Sequence, residues 1–252
     1  MTTTSRAMKT PGEDRRPGLF TRLLLEGIVI VGSILLAFAL DRWWDERSER
    51  AEEQAVLENL RAEFEAAEAQ FEFYFGWHQR IEASVGQTLE TARGALKAGL
   101  PRVTLPDTAL ALAYLSPTFD PRLGTLEGLL SSGRLRLIRD PALRHALASW
   151  NGLLREATEE ETKGLRHVAD QLDPVLRTRM DVSGPLGLLL PFVEGDIGAD
   201  GLAGFSSVPV DSEVVGVLAL RHIHEAHGLD DLADVRDEIK RILELIEQQA
   251  PR

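Results

Sequence analysis

Hydrophobic and polar positions divide the chain into two parts with different patterns. Residues 19–40 form an apolar run that only Arg22 and Glu26 interrupt. Beyond residue 41, apolar side chains recur every three or four positions among charged ones, which is the spacing of amphipathic helices. The pattern predicts one apolar helix followed by several helices that each bury one face.

The apolar run is long enough to cross a membrane. Its 22 residues extend about 33 Å as a helix, against a hydrocarbon core of about 30 Å. Trp43 and Trp44 follow it, at the position of an interfacial aromatic belt. A signal peptide and a buried core helix are the alternatives, but the run exceeds a usual signal-peptide apolar segment and no small-residue cleavage site separates it from Asp41. We therefore predict an uncleaved transmembrane helix over residues 19–40 that contacts the lipid bilayer.

Basic residues near the two ends of the run predict its orientation, because cytoplasmic flanks are enriched in lysine and arginine. Five lie on the N-terminal side and three follow the run closely: Arg6, Lys9, Arg15, Arg16 and Arg22, then Arg42, Arg47 and Arg50. The excess predicts that residues 1–18 form a short cytoplasmic tail and that residues 41–252 lie outside the cytoplasm. The expected location is the cell inner membrane, as a single-pass protein.

Glu26 is an acidic side chain inside the predicted span, and two interpretations are open. Arg22 lies one turn before it, so the two side chains can form an ion pair near the cytoplasmic interface. A carboxylate in a span can instead serve a proton relay or bind a partner. The first two turns of the run hold both charges, which favours the ion pair.

The segment from residue 45 to Pro101 contains no proline before its end and predicts one long helix. Its heptad seam is apolar at ten of twelve positions. The a positions are Leu57, Phe64, Phe71, His78, Val85 and Ala92, and the d positions are Leu60, Ala67, Tyr74, Ile81, Thr88 and Ala95. Phenylalanines at a favour packing inside a bundle. Glu65 and Glu72 fall at b positions and are expected to be exposed.

Capping residues and glycines predict two short helices in the connector that follows. One covers residues 108–115 with Asp107 as its cap, and the other covers residues 125–132 and ends at Gly133.

A cap followed by proline marks the next long helix. Asp140 and Pro141 predict its start, and its apolar spacing continues to about Leu172 before the Asp173-Pro174 pair predicts a kink or restart. Residues 183–210, rich in glycine and proline, predict the longest loop.

Two further helices are predicted to close the chain, over residues 212–226 and 230–249. The second carries strict a/d spacing at Leu232, Val235, Ile239, Ile242 and Ile246. The predicted fold class is therefore all-α: an N-terminal transmembrane helix that continues into a long-helix antiparallel bundle. Its domains are residues 1–18, 19–40 and 41–252.

Charge and composition limit the kinds of partner and site that the chain can have. The chain holds 28 basic and 40 acidic residues. Five of the basic and three of the acidic residues lie in the first 40 positions. Residues 41–252 therefore carry a net charge of −14. Such a surface repels phosphate backbones, so we expect no nucleic-acid binding. The absence of cysteine excludes disulfides and thiolate metal sites.

Histidines are the main candidates for ligand-binding, pH-sensing or metal-binding residues. His78, in the seam, is expected to be a core residue with satisfied hydrogen bonds, and a ligand or pH switch is the alternative. His222, His224 and His227 form a cluster in which only the last two share a helix face, without the i,i+4 pair of a zinc protease. A solvated helix end explains this cluster, and a metal site is the alternative.

The sequence contains no glycine-rich phosphate loop, nucleophile elbow or dinucleotide fingerprint. We therefore expect no enzyme activity, no catalytic residue, no cofactor and no metal.

Three segments resemble a bacterial family of membrane proteins built on a domain of unknown function. They are EGIVIVGSILLAFALDRWWDER, TLEGLLSSGRLRLIRDPALRHAL and DEIKRILELIEQ, at the beginning, middle and end of the chain. Members of that family begin with a Gly-Glu-Ile-type span ending in an Asn-Trp-x-Glu-like motif, whereas this chain has Glu26-Gly27 and Asp41-Arg42-Trp43. The resemblance implies a single-pass membrane protein with a helical body, and it implies no activity or substrate.

Two functions are consistent with these features. The first is a membrane-anchored helical interaction or scaffold protein, which binds a protein partner or a second copy of itself. The second is an extracytoplasmic ligand-sensing bundle, which would need a partner to signal because its predicted cytoplasmic side has only 18 residues.

Overall fold

The computed structural model describes residues 19–189 and 204–249 and is mostly helical, so the helical part of the prediction is confirmed. Seven α-helices occur in the described residues: α1 Leu19–Lys97, α2 Asp107–Tyr114, α3 Gly124–Ser131, α4 Pro141–His167, α5 Asp173–Arg177, α6 Ser183–Gly187 and α7 Ser212–Gln248. A small antiparallel sheet pairs β1 (Arg102–Pro106) with β2 (Phe205–Pro209), which an all-α class does not include.

The chain divides into two compact units, Met1–Glu52 and Glu53–Arg252. In the first unit, the large apolar side chains of α1 that the structure describes are exposed, among them Leu23 at 59% and Trp44 at 68%. An 18-residue stretch of this helix reaches a mean hydropathy of 1.6, and none of it is buried. Among the described residues, α1 alone is long and apolar enough to cross a membrane. The expected pairing of Glu26 with Arg22 involves a side chain outside the described ones.

The heptad seam of α1 is confirmed in the second unit. Eleven of its twelve positions are buried, and Tyr74 is half-buried. Glu65 is exposed as expected, but Glu72 is half-buried, because Arg236 of α7 donates to both of its carboxylate oxygens at 2.6 and 2.7 Å. The prediction for Glu72 was therefore wrong.

Three long helices form the bundle, and contacts between them fix their directions. Gln54 bonds to Gln249 and Glu72 bonds to Arg236, so α7 runs antiparallel to α1. Phe64 packs edge-on against Trp150 with ring centroids 5.1 Å apart, and farther along both helices His78 lies 3.7 Å from Glu161, so α4 runs parallel to α1. This parallel pair requires the connector between α1 and α4 to return along the bundle.

The bundle core consists of two apolar clusters. The first cluster joins α1, from Leu57 to Phe75, to α3, to the start of α4 and to the end of α7. Phe64, Phe71, Trp150 and Ile242 are among its members. The second joins the later part of α1 to α2, the sheet, α5 and the start of α7, with Ile81, Leu110, Leu172 and Leu218 among its members.

Two of the three predicted helix ends are confirmed. Asp140 caps α4, since its Oδ1 accepts from the backbone N–H of Leu143 at 2.7 Å. Gly133 follows α3 with φ of +67°, a conformation that favours glycine. Asp107 is not a cap. It is the first residue of α2, and its carboxylate instead accepts from the Ser206 hydroxyl at 2.5 Å, which ties α2 to the sheet.

One other predicted boundary is absent from the structure, and another is present. The helices predicted over 212–226 and 230–249 are one continuous helix, α7, because Gly228 is accommodated inside it. The predicted disruption near Pro174 is confirmed: α4 ends at His167, and a π-helical turn, Val168–Leu172, precedes α5.

Candidate functional site

A network of four charged side chains lies where α1, α4 and α7 meet, between the two apolar clusters. Its members are His78 of α1, Glu161 of α4, and Arg221 and Glu225 of α7. Each is between 1% and 6% exposed. Charged groups are rarely buried this deeply unless they pair with one another, so we name these four residues the buried network.

His78 donates from both ring nitrogens. Its Nδ1 lies 2.5 Å from Glu225 Oε1, and its Nε2 lies 3.1 Å from the carbonyl oxygen of Pro117. A carbonyl oxygen only accepts, so Nε2 carries a proton, and the raised pKa of the ring indicates that Nδ1 carries a second one and donates to Glu225. Glu161 Oε1 lies 3.7 Å from Nε2 and adds a second negative charge beside the ring.

The electrostatic balance at His78 agrees with this geometry. Burial lowers the pKa of the imidazole, but hydrogen bonds and charge from Glu161 and Glu225 outweigh that effect and raise it to about 9. His78 is thus positively charged at neutral pH. The core histidine with satisfied hydrogen bonds is the interpretation that this arrangement favours.

Arg221 completes the network and ties it to the connector. Its Nη1 donates to Glu225 Oε2 at 2.6 Å, while Nε and Nη2 donate to the carbonyls of Ala113 and Leu115 at 3.1 and 2.7 Å. Two cations therefore face two carboxylates, and the buried charge sums to zero. Such balance lowers the cost of removing the four groups from water.

A glycine in α4 provides the space for the buried network. Gly164 of α4 faces Arg221, and a Cβ at this position would lie 3.4 Å from Nη1. Glu161 also accepts from the backbone N–H of Phe119, at 3.3 Å, so the connector meets the network on a second side. A cavity of about 10 Å³ beside His78 has room for about one water molecule. The arrangement joins helices and leaves no space for an organic substrate.

His167, at the end of α4, lies next to this region. Its Nε2 donates to the carbonyl of Val217 at 2.8 Å, and its ring centroid is 5.5 Å from that of His224. Burial is the main cause that lowers the pKa of His167, which favours the neutral form of the ring.

The three clustered histidines have separate surroundings. His222 approaches Glu82, with Nδ1 3.6 Å from Oε1, His224 faces His167, and His227 is exposed. Within residues 19–189 and 204–249, no group of three or more His, Asp or Glu side chains has an arrangement that could hold a metal ion.

Sequence reasoning missed three of the four network residues. Arg221 and Glu225 stand at i,i+4 on the same face of α7 as Leu218, Gly228 and Leu232, and this placement of charge within an apolar stripe was a detectable signal. The third residue that sequence reasoning missed is Glu161. Its burial depends on α1 and the connector, which are distant in sequence.

Raising the pH from 6.5 to 9.5 is expected to lower the free energy of unfolding by about 3 kcal/mol. A histidine whose pKa is about 9 when folded and near 6.5 when unfolded stabilises the fold fully below pH 6.5, and this contribution disappears as the pH rises through 9. Chemical denaturation across this range measures the effect, and His78→Gln should remove most of the slope. A ring pKa near 6.5 in an NMR titration of the folded protein would contradict the assignment.

Comparison with family models, with curated proteins and with solved structures finds no match to this chain. The resemblance to a bacterial membrane-protein family therefore stays a prediction. The account of function below depends on the geometry of the chain itself.

Proposed function

We propose that this protein is a membrane-anchored helical interaction protein, held in the bilayer by residues 19–40. One observation carries the proposal: the described large apolar side chains of α1 between Leu23 and Trp44 are exposed together. Contiguous exposed apolar surface of this size is the property of a membrane or partner contact. A core helix of a soluble protein would instead be covered by its own fold.

The bundle supports an interaction role more than the alternative role of ligand sensor. Sites for small organic ligands usually occupy about 300–1,000 Å³ and enclose most of the ligand. The enclosed cavity at the buried network measures about 10 Å³, and the network itself is fully paired.

Alkaline carbonate extraction of membranes that contain the full chain tests the anchor. We expect the protein to remain in the membrane pellet, because burial of the apolar run stabilises insertion. Replacing both Ile30 and Leu35 by lysine should shift the protein toward the soluble fraction, since each charge near a span centre costs about 2.5–3.5 kcal/mol. Ser48→Lys, beyond the run, is the matched control and should behave like the unmodified chain. Release of the unmodified chain into the supernatant would overturn the proposal.

A further inference from the structure

We propose that residues 115–123 form a strap that the buried network fastens to the bundle, and that the strap detaches when His78 loses its positive charge. The strap connects α2 to α3 and contains no helix or strand. It is part of the bundle, so its behaviour does not depend on the membrane anchor.

The strap has the burial pattern of an extended segment that lies on a surface. Buried and exposed residues alternate strictly over residues 117–123. The buried ones are Pro117, Phe119, Pro121 and Leu123, and the exposed ones are Thr118, Asp120 and Arg122. A period of two means that one side of an extended chain faces the bundle. Phe119 anchors that side, since its ring packs edge-on against Phe71 of α1 with centroids 5.0 Å apart.

The buried network supplies the hydrogen bonds that hold the backbone of the strap. They reach every second residue: Arg221 donates to the Leu115 carbonyl at 2.7 Å, His78 to the Pro117 carbonyl at 3.1 Å, and Glu161 accepts from the Phe119 N–H at 3.3 Å. Within residues 19–189 and 204–249, the backbone of residues 116–122 bonds to no residue outside the network. The long helices bond their own backbones, whereas the strap depends on charged side chains.

Two features oppose the closed position of the strap. The hydroxyl oxygens of Tyr114 and Ser116 are buried and have no hydrogen-bond partner among the described residues, so burial deprives both of water without replacement. A cavity of about 10 Å³ also lies among Ser116, His78 and Glu161, so packing between the strap and the network is incomplete there. Segments with these properties open at a lower free energy than helices packed in a core.

The charge of His78 determines whether the network holds the strap. The charged and titratable groups around the cavity beside its ring are Glu160 and Glu161 of α4, and Arg221, His224 and Glu225 of α7. A neutral ring keeps one proton, so it can donate to Glu225 or to Pro117 but not to both. Two buried carboxylates then face Arg221 alone, and this imbalance favours the entry of water. Ser116 and Pro117 form one wall of the cavity, so water enters as the strap lifts.

The absence of cysteine allows a direct test on the full chain in detergent micelles, with iodoacetamide as the probe. Ser116→Cys places a thiol in the strap and breaks no hydrogen bond, because the serine oxygen has no partner among the described residues. Thr88→Cys, at a residue of α1 that is 2% exposed, reports opening of the whole bundle. Thr91→Cys is exposed and gives the labelling rate of an accessible thiol.

At pH 7 we expect residue 116 to be labelled at least about tenfold more slowly than residue 91. Adding His78→Gln removes the charge and should raise the rate at residue 116 at least about tenfold, with residue 88 still at least about tenfold slower than residue 116. Arg236→Met removes an ion pair that does not contact the strap, and it should leave residue 116 protected.

The same labelling should depend on pH when His78 is present. Its pKa is about 9, so the ratio of the rate at residue 116 to that at residue 91 should rise as the pH passes through about 9. The ratio corrects for the larger thiolate fraction at high pH. In the His78→Gln chain this rise should be absent.

Equal labelling of residues 116 and 88 would overturn the proposal, because the bundle would then open as one unit. Continued protection of residue 116 in the His78→Gln chain would also overturn it. Circular dichroism checks that each variant folds. Amide hydrogen exchange of the chain without substitutions is a second measurement: the Phe119 amide should lose protection before that of Trp150 as the pH passes through about 9. Simultaneous loss at both amides would contradict a separate strap.

Discussion

Truncating Phe64 to alanine is expected to lower the free energy of unfolding of the bundle by about 3–5 kcal/mol. Phe64 is fully buried in the first apolar cluster, and its ring packs edge-on against Trp150. The substitution removes buried apolar surface and leaves a cavity that two neighbouring helices cannot close without moving. Chemical denaturation of the full chain in mild detergent, followed by circular dichroism, measures the loss.

Glu65→Ala is the matched control for this truncation, because residue 65 is adjacent in sequence and exposed. Its carboxylate accepts from Arg61 at 2.7 Å on the surface, so its loss should change stability by about 0.5 kcal/mol or less. Glu72 is unsuitable as a control, since it pairs with Arg236. Equal small effects of Phe64→Ala and Glu65→Ala would mean that the seam of α1 does not stabilise this bundle.

Replacing Arg221 by methionine is expected to destabilise the bundle by about 3–5 kcal/mol. The change removes one of two buried cations and leaves Glu161 and Glu225 with His78 alone. An uncompensated carboxylate in the core costs several kcal/mol, and the carbonyls of Ala113 and Leu115 also lose their donors. Denaturation of the full chain at pH 7 measures this effect.

Arg236→Met is the matched control for the buried arginine. Arg236 also pairs with a glutamate across the bundle, but both side chains are more than a third exposed, so we expect a loss of about 1 kcal/mol or less. Adding Glu225→Gln to Arg221→Met should recover part of the stability, because it removes the unpaired charge. Additive losses in that double variant would contradict the pairing in the buried network.

Local signals in the sequence predicted the elements that depend on nearby residues. The seam of α1 and the cap at Asp140 follow from short-range spacing, and the structure contains both. The helix end before Gly133 has the same origin, since glycine adopts positive φ at little cost.

Long-range packing decided the features that the sequence could not predict. The continuity of α7 through Gly228 depends on burial against other helices, which outweighs the helix-breaking tendency of one glycine. The sheet pairs residues about 100 positions apart, and Asp107 contacts Ser206 for the same reason. The buried network likewise joins three helices, so only the whole fold brings Glu161 to His78.

Cysteine labelling in native membranes tests the central claim, that residues 19–40 lie within the bilayer. The chain has no cysteine of its own, so Ile34→Cys and Ser48→Cys each carry a single reactive thiol. A membrane-impermeant maleimide on intact cells should label residue 48, because we expect the bundle to lie outside the cytoplasm, and should label residue 34 only after denaturation. Thiols react as thiolates and need water, which the hydrocarbon core excludes. Labelling of residue 34 in native membranes as fast as residue 48 would contradict the account.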